Sequence, residues 1–138
     1  NTMAEEIRNT SEFKARYSDE ELQEFKAIIL EMLEKAKKEY KILRDIVTHD
    51  SSNDIEDTSP TFKVMEEGAM TLSKEEAGAL AQRQYKFIQN LEAALIRIEN
   101  KTYGVCRMTG KLIPKERLRL VPHATLTVEA KEMMNKNR

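Results

Sequence analysis

The sequence contains no tryptophan and a single cysteine, Cys106, and only 6% of its 138 residues are aromatic. One thiol cannot form a disulfide within the chain, so the disulfide frameworks of small secreted domains are excluded and a reducing cytoplasm is the expected setting. Sparse aromatics beside 34% charged residues suit long solvated helices better than a large core. No apolar run approaches the roughly 20 residues that span a bilayer, and no signal-peptide pattern is visible. Catalytic sets are also missing. His49 and His123 are single and far apart, and nothing assembles a base, a nucleophile and an oxyanion site, so an enzyme is not expected. Gly104 and Gly110-Lys111 do not make a phosphate loop: five residues separate the glycines, and Leu112 stands where Ser or Thr is required. Gly110-Lys111 reads instead as the turn of a small hairpin, with Pro114 ending its strand.

Charge is plentiful and unevenly placed. Residues 49–76 hold eight acids (Asp50, Asp54, Glu56, Asp57, Glu66, Glu67, Glu75, Glu76) against Lys63 and Lys74. Residues 101–138 hold nine bases (Lys101, Arg107, Lys111, Lys115, Arg117, Arg119, Lys131, Lys136, Arg138) against Glu116, Glu129 and Glu132. Two regions of opposite sign suit oriented docking. The basic end has no recognition-helix arrangement and the whole chain carries a net charge of −1, so direct DNA binding is not the expected role.

Two long helices are expected. Ser18-Asp19-Glu20-Glu21 is a capping box, followed by an apolar seam of Leu22, Phe25, Ile29, Met32, Ala36, Tyr40, Leu43 and Val47 at spacings of mostly three and four. Such a helix of around thirty residues is roughly 45 Å long. Ser73-Lys74-Glu75-Glu76 is a second box, and Ala77, Leu80, Gln84, Phe87, Leu91, Ala94 and Ile98 repeat the seam. Gln84 is its one polar interruption, of the kind that sets register. The stripes are buried by an antiparallel hairpin within a monomer; a homodimeric coiled coil would satisfy them too. Between the boxes, residues 49–60 are acidic and turn-rich, and Pro60 argues against continuous helix there. The expected organisation is an N-terminal segment (1–17), a coiled-coil hairpin (18–100) with its tip at about 49–72, and a small end domain (101–138). That end domain finishes in a helix from about Ala124 to Asn135.

The end domain carries the most specific signal. Tyr103-Gly104-Val105-Cys106-Arg107-Met108-Thr109-Gly110 is followed by Ile113, Arg117-Leu118, Pro122, Ala124 and Thr127-Val128-Glu129-Ala130. A zinc ribbon of the form C-x2-C, about seventeen residues, C-x2-C needs thiolates at 106, 109, 127 and 130. Those places hold Cys106, Thr109, Thr127 and Ala130. A threonine hydroxyl is not ionised near neutral pH and alanine has no donor, so no metal is expected. Packing of Tyr103, Val105, Met108, Leu112, Ile113, Leu118, Leu120, Val121, Leu126 and Val128 must hold the end together instead, with hydrogen bonds from Thr109 and Thr127. Cys106 reads as a buried former ligand. A redox-sensing thiol, with its pKa lowered by Arg107, is the alternative.

This spacing resembles the DksA/TraR family of bacterial RNA polymerase regulators, and the chain is identified as a cysteine-poor member of it. The resemblance implies a mainly α fold, a long antiparallel helical hairpin joined to a degenerate zinc-ribbon-like end. It implies a transcription regulator held by RNA polymerase, its hairpin entering the secondary channel so that the tip lies near the active site. The family's tip signature (Asp, two residues, Asp, one residue, Ala) falls on Lys63, Glu66 and Gly68, so only Glu66 is similar. The implied tip groups are Glu66 and Glu67, then Asp54 and Asp57. The implied polymerase contacts are Arg83, Arg117, Arg119 and Lys131. Some relatives bind guanosine tetraphosphate through basic groups. Here Lys131 matches, but Asn90 and Val121 replace bases, so no cofactor is expected. A coiled-coil adaptor with another protein partner is the alternative function.

Overall fold

A computed structural model describes residues 16–48 and 72–136; the expected tip, including Asp54, Asp57, Glu66 and Glu67, lies outside the described residues. Four helices are described: α1 (Asp19–Thr48), α2 (Lys74–Glu99), α3 (Lys115–Leu120) and α4 (Val128–Lys136). Both capping boxes form. The Glu21 amide donates to Ser18 Oγ at 3.1 Å and the Ser18 amide to Glu21 Oε1 at 3.0 Å. Ser73 and Glu76 repeat the exchange at 3.0 and 3.1 Å. Each pair satisfies two donors that the helix start leaves without partners.

The chain divides into two compact units, each containing part of both long helices. The first draws on residues up to Glu31 and from Asn90 onward. Leu22, Phe25 and Ile29 of α1 and Leu91, Ala94 and Ile98 of α2 are buried there, with Tyr17, Tyr103, Cys106, Ile113, Leu118, Pro122, Ala124 and Ala130. An aromatic cluster lies within it: Phe25 sits 5.5 Å from Tyr17 in an edge arrangement and 5.3 Å from Tyr103. Tyr103 OH donates to Pro122 O at 2.7 Å, and Tyr17 OH donates to Ile113 O. The helices run antiparallel here, since Asp19 meets Lys101 while Lys26 meets Glu99.

The second unit holds Met32–Gln89. It too is antiparallel: Gln84 Nε2 reaches Ala36 O at 3.5 Å and Glu39 Oε2 at 2.9 Å, while Gly78 lies against Val47 farther along. Tyr40 and Tyr85 pair at 5.8 Å between centroids. Gln84 is thus the polar layer of the seam, and it is satisfied by α1 rather than left desolvated.

The seam differs from expectation by one position in places. Leu33 is buried and Met32 only partly so; on α2, Ala81 and Ile88 are buried, Leu80 is exposed and Phe87 is half-buried. Adjacent apolar pairs (Met32-Leu33, Leu80-Ala81, Phe87-Ile88) let either member continue the stripe. The seam on α2 keeps heptad steps, with buried Ala77, Leu91 and Ile98 and half-buried Gln84 in one row and buried Ala81 and Ile88 in the other.

α2 ends in a Schellman turn. Lys101 takes the left-handed conformation (φ 64°), its amide donates to Ile98 O at 3.1 Å, and the Thr102 amide donates to Arg97 O at 2.9 Å. Glycine is usual at this position. Lys101 instead directs its ammonium to the Asp19 carboxylate at 2.8 Å, joining the end of α2 to the start of α1.

Candidate functional site

The former ligand loops form around a reduced hairpin. Val105 and Leu112 make one antiparallel bridge. The Cys106 amide donates to Lys111 O at 2.8 Å, the Gly110 amide to Cys106 O at 2.8 Å, and the Ile113 amide to Gly104 O at 2.7 Å. Gly110, with φ 75°, makes the turn. Gly104 is required for a different reason: its φ is 78°, and a Cβ there would stand 2.6 Å from the Tyr17 ring.

The positions 106, 109 and 127 come together, and 130 joins them through the backbone. Cys106 is 1% exposed. The Thr127 amide donates to Cys106 Sγ at 3.5 Å, and Thr127 Oγ1 lies 3.9 Å from the same sulfur. Thr127 Oγ1 also accepts from the Ala130 amide at 3.1 Å. That hydroxyl is therefore the N-cap of α4, and the fourth ligand position contributes an amide hydrogen where a thiolate would stand. Thr109 Oγ1 accepts from the Lys111 amide at 3.2 Å. Burial pushes the Cys106 thiol pKa up, but hydrogen bonds from the Thr109 side chain and from the Thr127, Thr109 and Met108 amides outweigh it, bringing it down to about 6. Arg107 is not among the causes, which corrects the expectation from sequence.

Zinc does not fit this donor set. One thiol, two hydroxyls already engaged with backbone amides and a methyl group cannot supply a tetrahedral sulfur and nitrogen shell. Among the described residues no group of three or more His, Cys, Asp or Glu is placed to hold a metal ion.

The packing of the end domain differs from the sequence expectation. Tyr103, Ile113 and Leu118 are buried and Val105, Leu112, Val121 and Leu126 partly so, but Met108, Val128 and Leu120 (81%) are exposed. Their places are taken by Tyr17, Pro122, Ala124 and Ala130. The last helix starts at Val128 rather than Ala124, because Thr127 caps it. The loop before it is held by three arginines: Arg97 Nη2 donates to His123 O at 3.4 Å, Arg107 Nε to Thr125 Oγ1 at 3.3 Å, and Arg117 Nε to Leu126 O at 2.9 Å. α3 was not anticipated; Pro114, read as the end of a strand, immediately precedes it.

Ion pairs tie α1 to the end domain. Glu21 pairs with Lys115 while remaining in its capping box. Its carboxyl is held down to about 2, first by Lys115 and then by Ser18. Asp19 is lowered by Lys101 and then Arg16. Of the polymerase contacts implied by sequence, Arg83 is exposed on α2, Arg119 on α3 and Lys131 on α4, while Arg117 is partly buried on α3. They stand on different helices, and Arg83 belongs to the second unit.

A pair of antiparallel helices joined to a knuckle-and-helix end defines the class, a coiled coil carrying a zinc-finger-type domain. Residues 101–132 match the model of the prokaryotic dksA/traR C4-type zinc finger. General stress protein 16O of Bacillus subtilis is 47% identical over 45 residues, covering 33% of this chain and 28% of that protein. The RNA polymerase-binding transcription factor DksA of Caulobacter vibrioides is 46% identical over 50 residues, 36% of this chain and 35% of its own length. The matched segments thus span only about a quarter to a third of those curated relatives. Coverage is wider in the structure of transcription factor DksA2 from Pseudomonas aeruginosa: a TM-score of 0.60 at 28% identity, over 84% of each chain. Over residues 101–132 the chain is similar to the dksA/traR zinc-finger family, and its helical architecture is similar to that of DksA2.

Proposed function

We propose that this protein binds RNA polymerase and regulates transcription by passing the segment between α1 and α2 into the secondary channel. The observation that carries this reading is the pairing of a dksA/traR-type end with a two-helix pattern that matches the DksA2 structure over 84% of the chain. The Caulobacter relative is named for polymerase binding. A narrow antiparallel pair reaches a recessed active site that a globular domain cannot enter. Carboxylates delivered there act on the groups that handle magnesium and nucleic acid. In this reading the hairpin is residues 18–100, with a tip at about 49–72 led by Glu66 and Glu67 and then Asp54 and Asp57. The end domain, 101–138, grips the channel rim, with Arg83, Arg117, Arg119 and Lys131 as contacts. The chain acts as a cytoplasmic monomer, without a cofactor and without reading DNA sequence.

Affinity capture on core RNA polymerase, followed by transcription from a panel of promoters, tests this. The native chain is expected to bind and to alter initiation. Glu66→Ala with Glu67→Ala is expected to retain binding and lose the effect. Failure to associate with polymerase refutes the reading and favours an adaptor for another protein.

A further inference from the structure

We propose that Arg97, Arg107 and Arg117, gathered on the 123–126 loop, form a docking point for a carboxylate-rich segment of a protein partner. The three come from separate places: Arg97 from α2, Arg107 from the turn after the Val105 bridge, Arg117 from α3. Each gives a hydrogen bond to the same four-residue loop, at His123 O, Thr125 Oγ1 and Leu126 O. Arg107 and Arg117 use Nε for that bond, which does not engage the paired Nη groups. A guanidinium has five N–H donors, and its forked edges are the geometry that matches a carboxylate.

Neutral acceptors position these cations without balancing them. None of the ion pairs Arg16–Asp19, Lys26–Glu99, Lys38–Glu34, Lys101–Asp19 and Lys115–Glu21 includes the three arginines. Arg97 is half-buried, and desolvation lowers its pKa. The His123 pKa within the loop is lowered too, by burial first and by Arg97 second. Three like charges on one short loop repel one another, and an external carboxylate cluster offsets that repulsion. The chemistry favours a polypeptide acid over nucleic acid. Nine bases against three acids over residues 101–138 attract any polyanion, peptide or nucleic acid, from a distance, so the local arrangement makes the choice. The three charges are gathered at one loop rather than strung along a stripe that follows a phosphate backbone.

This inference rests on the reading that the chain works through a protein partner, and the test separates the two. The full chain, labelled with nitrogen-15, is titrated with a decaglutamate peptide, a short duplex DNA and inorganic phosphate in parallel. The Arg107 and Arg117 Nε–H resonances are expected to move with the peptide and not with the other two. Arg107→Gln is expected to weaken peptide binding about three- to fivefold, the effect of one partly exposed ion pair, with Arg107→Lys between Gln and native. An unchanged thermal midpoint in Arg107→Gln confirms that the fold is intact. Silence towards the peptide, or equal shifts with phosphate or DNA, overturns the proposal. If the peptide binds while polymerase does not, the polymerase reading fails and the docking point stands. If polymerase binds native and Arg107→Gln equally and the peptide is silent, the docking point fails alone.

Discussion

Replacing Thr127 tests what has taken over from the metal. Its hydroxyl caps α4 through the Ala130 amide at 3.1 Å, lies 3.9 Å from Cys106 Sγ, and belongs to a buried side chain. Removing an N-cap costs about 1 kcal/mol, and removing a buried methyl costs about another 1 kcal/mol. Thr127→Ala therefore loses about 2 kcal/mol, or about 6–10 °C of thermal midpoint in a chain of this size. Thr127→Ser keeps the cap and loses the methyl, so it should fall by about half as much. Thr127→Val keeps the shape and loses the cap, and amide exchange at Ala130 should accelerate. Circular dichroism melts of all four proteins, each with and without EDTA, give the measurement. A Thr127→Val variant as stable as the native chain refutes the capping argument. A chelator-induced drop in the native protein refutes the metal-free reading itself.

Two glycines form a controlled pair. Gly110→Ala meets open space and should cost about 1 kcal/mol from its positive φ alone, whereas Gly104→Ala adds a collision with the Tyr17 ring and should cost about 2–4 kcal/mol in urea unfolding. Equal losses would mean that Tyr17 yields freely. Cys106 ionises near pH 6 in the folded chain and near about 8.5 when unfolded. Its contribution is thus full above the unfolded value and lost as pH falls through 6, so the stability gap between native protein and Cys106→Ala should widen from pH 6 to 9. Thiolate absorbance at 240 nm with a midpoint above 8 would contradict this. Glu21, held near 2, stabilises the fold above the ordinary carboxyl range and loses that contribution as pH falls from about 4.5 toward 2. Glu21→Gln keeps most of the capping box, so its acid-unfolding profile should be flatter than the native one but not absent.

Local chemistry was the part of the fold most legible in the sequence. Ser18 and Glu21, and Ser73 and Glu76, announce helix starts because all the groups involved lie within one turn. The spacing of Cys106, Thr109, Thr127 and Ala130 likewise located the knuckle without its ligands. Choices between neighbours were less legible. Leu80 and Ala81, or Phe87 and Ile88, differ by only 100° around the helix, and α1 decides which member is buried. The packing of the end domain was least legible. Tyr17 is buried against groups almost a hundred residues away, and the arginines that hold the 123–126 loop come from three elements. Leu120 was expected inside because it is apolar, yet Leu118 fills the inward position of the short α3 and leaves it outside.

The Tyr17 latch has a consequence for how the molecule is made. Its hydroxyl donates to a carbonyl 96 positions further along, and its ring rests on Gly104. On a translating ribosome, which adds roughly 5–20 residues per second, that partner appears roughly 5–20 seconds after the tyrosine. Until then the ring has no socket, and the start of α1 lacks the cations of Lys101 and Lys115 as well. Residues up to Lys115 must therefore be synthesised before the start of α1 is anchored, and a nascent chain stalled ahead of Ile113 should leave Tyr17 open to protease or solvent.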